Sequence, residues 1–121
     1  MKFALFLALL ALPAHAQDGI RGSDRILTSA QLNDLIGGQM LEFFDGSKSR
    51  YGTDGAYIYT YTDDGPEWKG IFQTFENSEV CIQFDNGSNR CDYIVQDGER
   101  IVLVTADGLR FPVRNRSVYP R

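Results

Sequence analysis

Asp-Gly and Asn-Gly pairs recur along this chain at Asp45-Gly46, Asp54-Gly55, Asp64-Gly65, Asn86-Gly87, Asp97-Gly98 and Asp107-Gly108. Glu76-Asn77-Ser78 fills the one long gap between them. Glycine accepts the positive φ of a tight hairpin, and turns every 8–12 residues or so mark antiparallel strands joined by short connections. Between the turns lie Met40 to Phe44, Ser49 to Gly52, Ala56 to Thr62, Trp68 to Phe75, Glu79 to Phe84, Asn89 to Gln96, Glu99 to Thr105 and Leu109 to Val113. The chain therefore reads as mainly β: an antiparallel meander of about seven or eight short strands, forming a curled sheet or small barrel. Pro112 lacks a backbone N–H, so the last run is expected at a sheet edge.

One short N-terminal helix is signalled. Thr28 and Gln31 make a Thr-x-x-Gln capping box, and Leu32, Leu35 and Ile36 form an apolar stripe before Gly37-Gly38 ends the helix. So short a helix needs tertiary packing, and its stripe is expected against the sheet, plugging one end of a barrel.

Residues 1–16 read as a cleaved export signal: Lys2 supplies the positive region, Phe3 to Leu12 the apolar region and Ala14-His15-Ala16 the small-x-small cleavage site. The apolar run is too short to cross a bilayer, so stable membrane insertion is not expected. The residue directly after the cleavage site is Gln17 rather than a lipid-accepting cysteine, and the product should be soluble, beginning at Gln17 and residing in the periplasm or, alternatively, outside the cell. Residues 17–25 lack pattern and are expected to be a flexible leader. Residues 26–121 form a single β-rich domain.

At 43% hydrophobic residues the composition excludes a disordered chain. The one histidine, His15, lies inside the expected signal. Without it the mature protein cannot perform Ser-His-Asp or Cys-His catalysis, or ligate zinc through imidazole. The net charge of −4 becomes one unit more negative when Lys2 leaves with the signal, which makes nucleic acid a poor partner. Arg110, Arg114, Arg116 and Arg121 form a basic C-terminal stretch, read as a solvated tail or a contact for an anionic surface.

A three-residue hairpin loop at Asp85-Asn86-Gly87 places Cys81 directly opposite Cys91, whereas a two-residue loop would set Cys81 against Asp92. In an oxidising compartment a disulfide is expected, and this favours the longer loop. A redox pair or a metal site fits poorly, because there is no C-x-x-C spacing and no histidine to complete a zinc site. The same loop length at Gln96-Asp97-Gly98 puts Cys91, Tyr93, Val95, Ile101 and Leu103 on one face. Val80, Ile82, Phe84, Ile94, Val102 and Val104 then share the other with Arg90, Asp92 and Arg100. Both faces are apolar, and the pattern leaves open which is inner.

Alternation places Tyr57, Tyr59 and Tyr61 on one face of their strand. A five-residue loop over Asp63 to Glu67 would bring Ile58 beside Phe72 and Tyr61 beside Lys69, making the tyrosine face amphipathic. Tyr57, Tyr59, Tyr61 and Lys69 are then candidates for a face that binds a protein or glycan, since tyrosine offers a flat apolar surface and a hydroxyl. Tyrosine is also a good strand former, and Gly70 needs an aromatic neighbour to cover it.

Asp63, Asp64 and Glu67 gather carboxylates on one loop, the raw material for a small hydrolase using paired acids. Acidic residues at turn tips are expected in any case, and the loop lacks the register of a calcium site. The reading is a non-catalytic binding module with no cofactor and no metal; the alternative is a carboxylate-based hydrolase.

An export signal, a capped helix ending in Gly-Gly, the segment Phe44-Asp45-Gly46 to Tyr51-Gly52-Thr53-Asp54-Gly55, and the pair Val80-Cys81 and Arg90-Cys91 together resemble small uncharacterised periplasmic proteins of proteobacteria. The resemblance spans most of the expected mature chain. It implies a compact exported β-domain, and brings no established activity.

Overall fold

The computed structural model describes residues 18–120, so the expected signal and Arg121 lie outside the described residues. The elements are β1 (Asp24–Arg25), α1 (Ser29–Ile36), β2 (Gln39–Phe43), β3 (Lys48–Tyr51), β4 (Ala56–Thr60), β5 (Trp68–Thr74), β6 (Glu79–Phe84), β7 (Asn89–Asp97), β8 (Arg100–Val104) and β9 (Arg110–Val118). Strands β2 to β9 follow one another as an antiparallel meander, and β9 returns to pair with β2. The sheet thereby closes into an eight-stranded barrel, which leaves those strands without an open edge.

Four hairpins share one turn design. In the loops 44–46, 53–55, 85–87 and 106–108 the glycine N–H bonds back to the carbonyl three residues earlier, and each glycine has φ between 90° and 93°. This is a type I turn followed by a left-handed glycine, and the Asx residue before the glycine locks it. Asp45, Asp54 and Asn86 each accept the backbone N–H two residues on, while Asp107 accepts the Thr105 hydroxyl. The expected three-residue loop at 85–87 sets Cys81 opposite Cys91, and a disulfide joins them on the outer wall.

Two registers differ from expectation. The β7–β8 turn is the two-residue loop Gly98-Glu99, with Asp97 opposite Arg100 and Gly98 at φ 64°. Glycine at the first turn position suits a type II′ hairpin, and the odd shift in register reassigns the faces of β8. Ile94 and Leu103 face the interior, while Val95, Val102 and Val104 make a second apolar cluster on the outside. Between β4 and β5, Tyr57 pairs with Gly70, Ile58 with Lys69 and Tyr59 with Trp68. Pairing stops before the irregular segment containing Asp63, so that loop does not dictate the register; burial of Tyr57 and Phe72 does.

The core holds Leu41, Tyr51, Tyr57, Ile82 and Ile94, together with Leu32 and Ile36 of α1. Helix α1 packs on β2 and β5, strands that are not neighbours, and so lies across one end of the barrel. Its capping box forms as expected: Gln31 N–H donates to Thr28 Oγ1 and Thr28 N–H to Gln31 Oε1. Each fully buried aliphatic side chain contributes about 1.5–3 kcal/mol, enough to hold a helix too short to stand alone.

The segment 18–25, expected as a flexible leader, is docked. Strand β1 pairs with the end of β7 beyond the reach of β6, and Ile20 covers the outer cluster of Val95, Val102 and Val104. This is the cover that two apolar faces require. The expected basic tail is likewise strand β9. Pro112 does not make it an edge: it faces Val102 in a pair that the Thr105–Leu109 ladder places at a non-hydrogen-bonded position, and β2 pairs only from Val113 onward. The missing N–H thus costs no ladder bond. Arg116 donates to the Leu35 carbonyl at the C-terminus of α1, and Arg110 ties to Asp24.

Candidate functional site

With α1 closing one end, the opposite end of the barrel carries the turns 44–46, 85–87 and 106–108 and the segment 61–67. There the wall opens into a cavity of about 570 Å³. Apolar lining comes from Phe43, Tyr59, Tyr61, Leu103, Leu109 and Phe111. Polar lining comes from Ser47, Ser49, Asp45, Arg90, Asp92 and Asp107. The mouth of a barrel is a common place for ligands because its walls are rigid and its interior is already cleared of main-chain partners.

The floor is a layer of aromatic rings and hydroxyls. Tyr57 is only 3% exposed, and its hydroxyl lies 2.9 Å from Ser49 Oγ. Tyr51 packs against Tyr57 at 5.2 Å and edge-on to Phe72 at 5.1 Å. Burial pushes the Tyr57 hydroxyl up to about 12 and that of Tyr51 well above its ordinary range. Both are therefore neutral hydrogen-bonding groups at any physiological pH.

The wall carries one charged pair. Arg90 and Asp92 sit two apart on β7, so alternation turns both inward with Ile94. Arg90 Nε donates to Asp92 Oδ2 at 2.8 Å. The Asp92 side chain is 9% exposed, and burial raises its proton affinity above that of an ordinary carboxylate despite the nearby Arg90; Asp107 adds like-charge repulsion. At the rim, the Tyr59 and Tyr61 rings meet edge to face at 4.9 Å, and Trp68 lies opposite Tyr59. Tyr61 is 60% exposed and Phe44, on the neighbouring turn, 61%.

Of the residues marked from the sequence, Tyr57, Tyr59 and Tyr61 do share a face, but it is the inner one. Tyr57 is core, Tyr59 is wall and Tyr61 is rim. Lys69 is on the other face, exposed and 3.7 Å from Glu67; the odd register between β4 and β5 separates it from the tyrosines. Asp63 pairs with Lys48, and neither Asp63, Asp64 nor Glu67 lines the mouth. Sequence reading missed Arg90 and Asp92, which it saw only as interruptions of an apolar face, and missed Phe43 and Phe111, which come from distant strands. The signal was present: two charges at alternate positions beside Ile94 on a strand whose both faces are otherwise apolar.

Comparison with protein-family models, curated proteins and solved structures finds no match. The site therefore rests on its own chemistry. Glu79 lies beside Cys81 and Cys91, but both sulfurs belong to the disulfide, so this group offers no thiolates to a metal. Among the described residues no helix is long and apolar enough to cross a membrane.

Proposed function

We propose that this protein is a small exported binding module, non-catalytic, that receives a group of its partner in the open mouth of the barrel. The observation that carries the reading is the asymmetry of the two ends: α1 fills one, while the other keeps a cavity of about 570 Å³ rimmed by exposed aromatic side chains. A fold that buries Leu32 and Ile36 to close one end has no structural need to leave Tyr61 and Phe111 exposed around the cavity at the other. Exposed aromatic groups around a concavity are the usual anchors of recognition. The disulfide is consistent with an oxidising compartment, and with the signal-like residues 1–16 it supports the periplasm, with secretion as the alternative. Intact mass of the exported protein should then correspond to a chain starting at Gln17.

Peptide and glycan arrays probed with the wild type and with the double variant Tyr61→Ala, Phe111→Ala test the role of the mouth. Retention on one class of array that the double variant loses, with its circular dichroism unchanged, supports the reading. Retention that the variant preserves places recognition elsewhere on the molecule.

A further inference from the structure

We propose that the mouth selects a cation carried on an apolar stem, an ammonium or guanidinium group attached to an aromatic or aliphatic chain. This rests on the reading of the mouth as a binding site and adds the charge of what enters it.

The charge count around the cavity is uneven. Asp45, Asp92 and Asp107 line it against one cation, Arg90. Arg90 and Asp92 already neutralise each other at 2.8 Å, which leaves Asp45 and Asp107 as the net charge of the opening. Neither of these forms an ion pair among the described residues: Asp45 accepts the Ser47 N–H and hydroxyl, and Asp107 the Thr105 hydroxyl. Their charge also reaches inside. Asp107 repels Asp92, so the two carboxylates act across the same enclosed space, and Asp45 acts in the same way on the Tyr59 hydroxyl. Low-dielectric walls focus such a field into the concavity.

The aromatic lining favours the same sign. The faces of Tyr59, Tyr61 and Phe111 carry the negative lobes of their ring quadrupoles, which attract a cation within about 6 Å of the ring centre. An apolar stem would replace water against Phe43 and Leu103 below. An anionic ligand would instead meet two carboxylates and a single cation, Arg90, already held by Asp92 through Nε, and a neutral one would gain from contact area alone.

Trp68, the only tryptophan of the chain, lines an adjoining groove whose wall of Tyr59, Tyr61 and Arg90 is shared with the mouth, so its fluorescence reports a ligand held against that wall. Titration with benzyltrimethylammonium, benzyl alcohol and phenylacetate compares cation, neutral and anion on one ring. The expected result is binding of the cation about tenfold more tightly than the alcohol, and weakening of that preference by salt. The double variant Asp45→Asn, Asp107→Asn keeps both turn geometries and should erase the preference. Equal or tighter binding of benzyl alcohol or phenylacetate at the mouth overturns the inference and leaves the mouth as a binding site. So does a cation preference that the double variant retains. Failure of all three probes to shift either Trp68 fluorescence or the ring signals of Tyr59 and Tyr61 overturns the inference and the binding reading together.

Discussion

Arg110 holds Asp24 with two parallel hydrogen bonds, Nη1 to Oδ2 at 2.7 Å and Nη2 to Oδ1 at 3.0 Å, and the Asp24 side chain is fully shielded from solvent. This pair fastens the N-terminal segment to the strand that closes the barrel. Replacing Arg110 by Met strands a buried carboxylate, and such losses cost about 3–5 kcal/mol when the charge cannot escape. Here it can, because release of residues 18–25 returns Asp24 to water. Hydrogen exchange of Arg110→Met should therefore show β1 and the outer cluster around Val95 opening while the core around Ile94 keeps its protection.

Two carboxylates should give opposite pH dependences. The hydrogen bond from Arg110 lowers the Asp24 value below 3.8, so its stabilisation is present above that pH and is lost as pH falls through the lowered value. Burial raises the Asp92 value, so the folded state takes up a proton more readily than the unfolded one, and stability falls as pH rises from 3.8 through the raised value. The slope of the denaturant midpoint against pH, measured between about pH 3 and pH 7, should be more positive in Asp92→Asn than in the wild type.

The turns, the capped helix and the pairing of Cys81 with Cys91 were legible because each is fixed locally, by Asx-Gly geometry, by Thr28 and Gln31, and by one hairpin loop. Closure of the barrel was not. Whether β9 meets β2 depends on curvature summed over eight strands, and Pro112 argued against it until its non-hydrogen-bonded position was seen. The mouth was half legible. Tyr59 and Tyr61 stood out as a row, and alternation already grouped Arg90 and Asp92 with Val80, Ile82 and Ile94, but both faces of β7 are apolar, so which of them turns inward was settled only by packing.

The disulfide closes a short loop across β6 and β7. Replacing both cysteines by alanine should lower stability by about 2–3 kcal/mol on the chain-entropy account, with no change in the hairpin register. Reducing and non-reducing mass measurements after alkylation should find both thiols protected in the oxidised protein; two free thiols would contradict the pairing.

The tyrosine row separates core from rim. Tyr57→Ser should cost about 3–5 kcal/mol, as the loss of a buried aromatic ring does, and it also removes one of the hydroxyls that bond Ser49. Ile58→Ala, on the opposite and half-buried face, should cost less. Tyr61→Ser should leave stability within about 1 kcal/mol and weaken only binding. Chemical denaturation of the three variants orders them, and a stability loss in Tyr61→Ser equal to that in Tyr57→Ser would contradict the assignment of the rim.

The claim that the open end of the barrel is the binding site is tested most directly by backbone and side-chain chemical shifts of the intact protein during titration with a set of small organic fragments. The account predicts that perturbations converge on Ser49, Tyr59, Tyr61, Arg90, Leu103 and Phe111, while residues around α1 such as Leu32 and Ile36 stay unchanged. Perturbations that gather on the outer wall or around α1, or that leave Ser49 and Tyr59 untouched throughout, would contradict it.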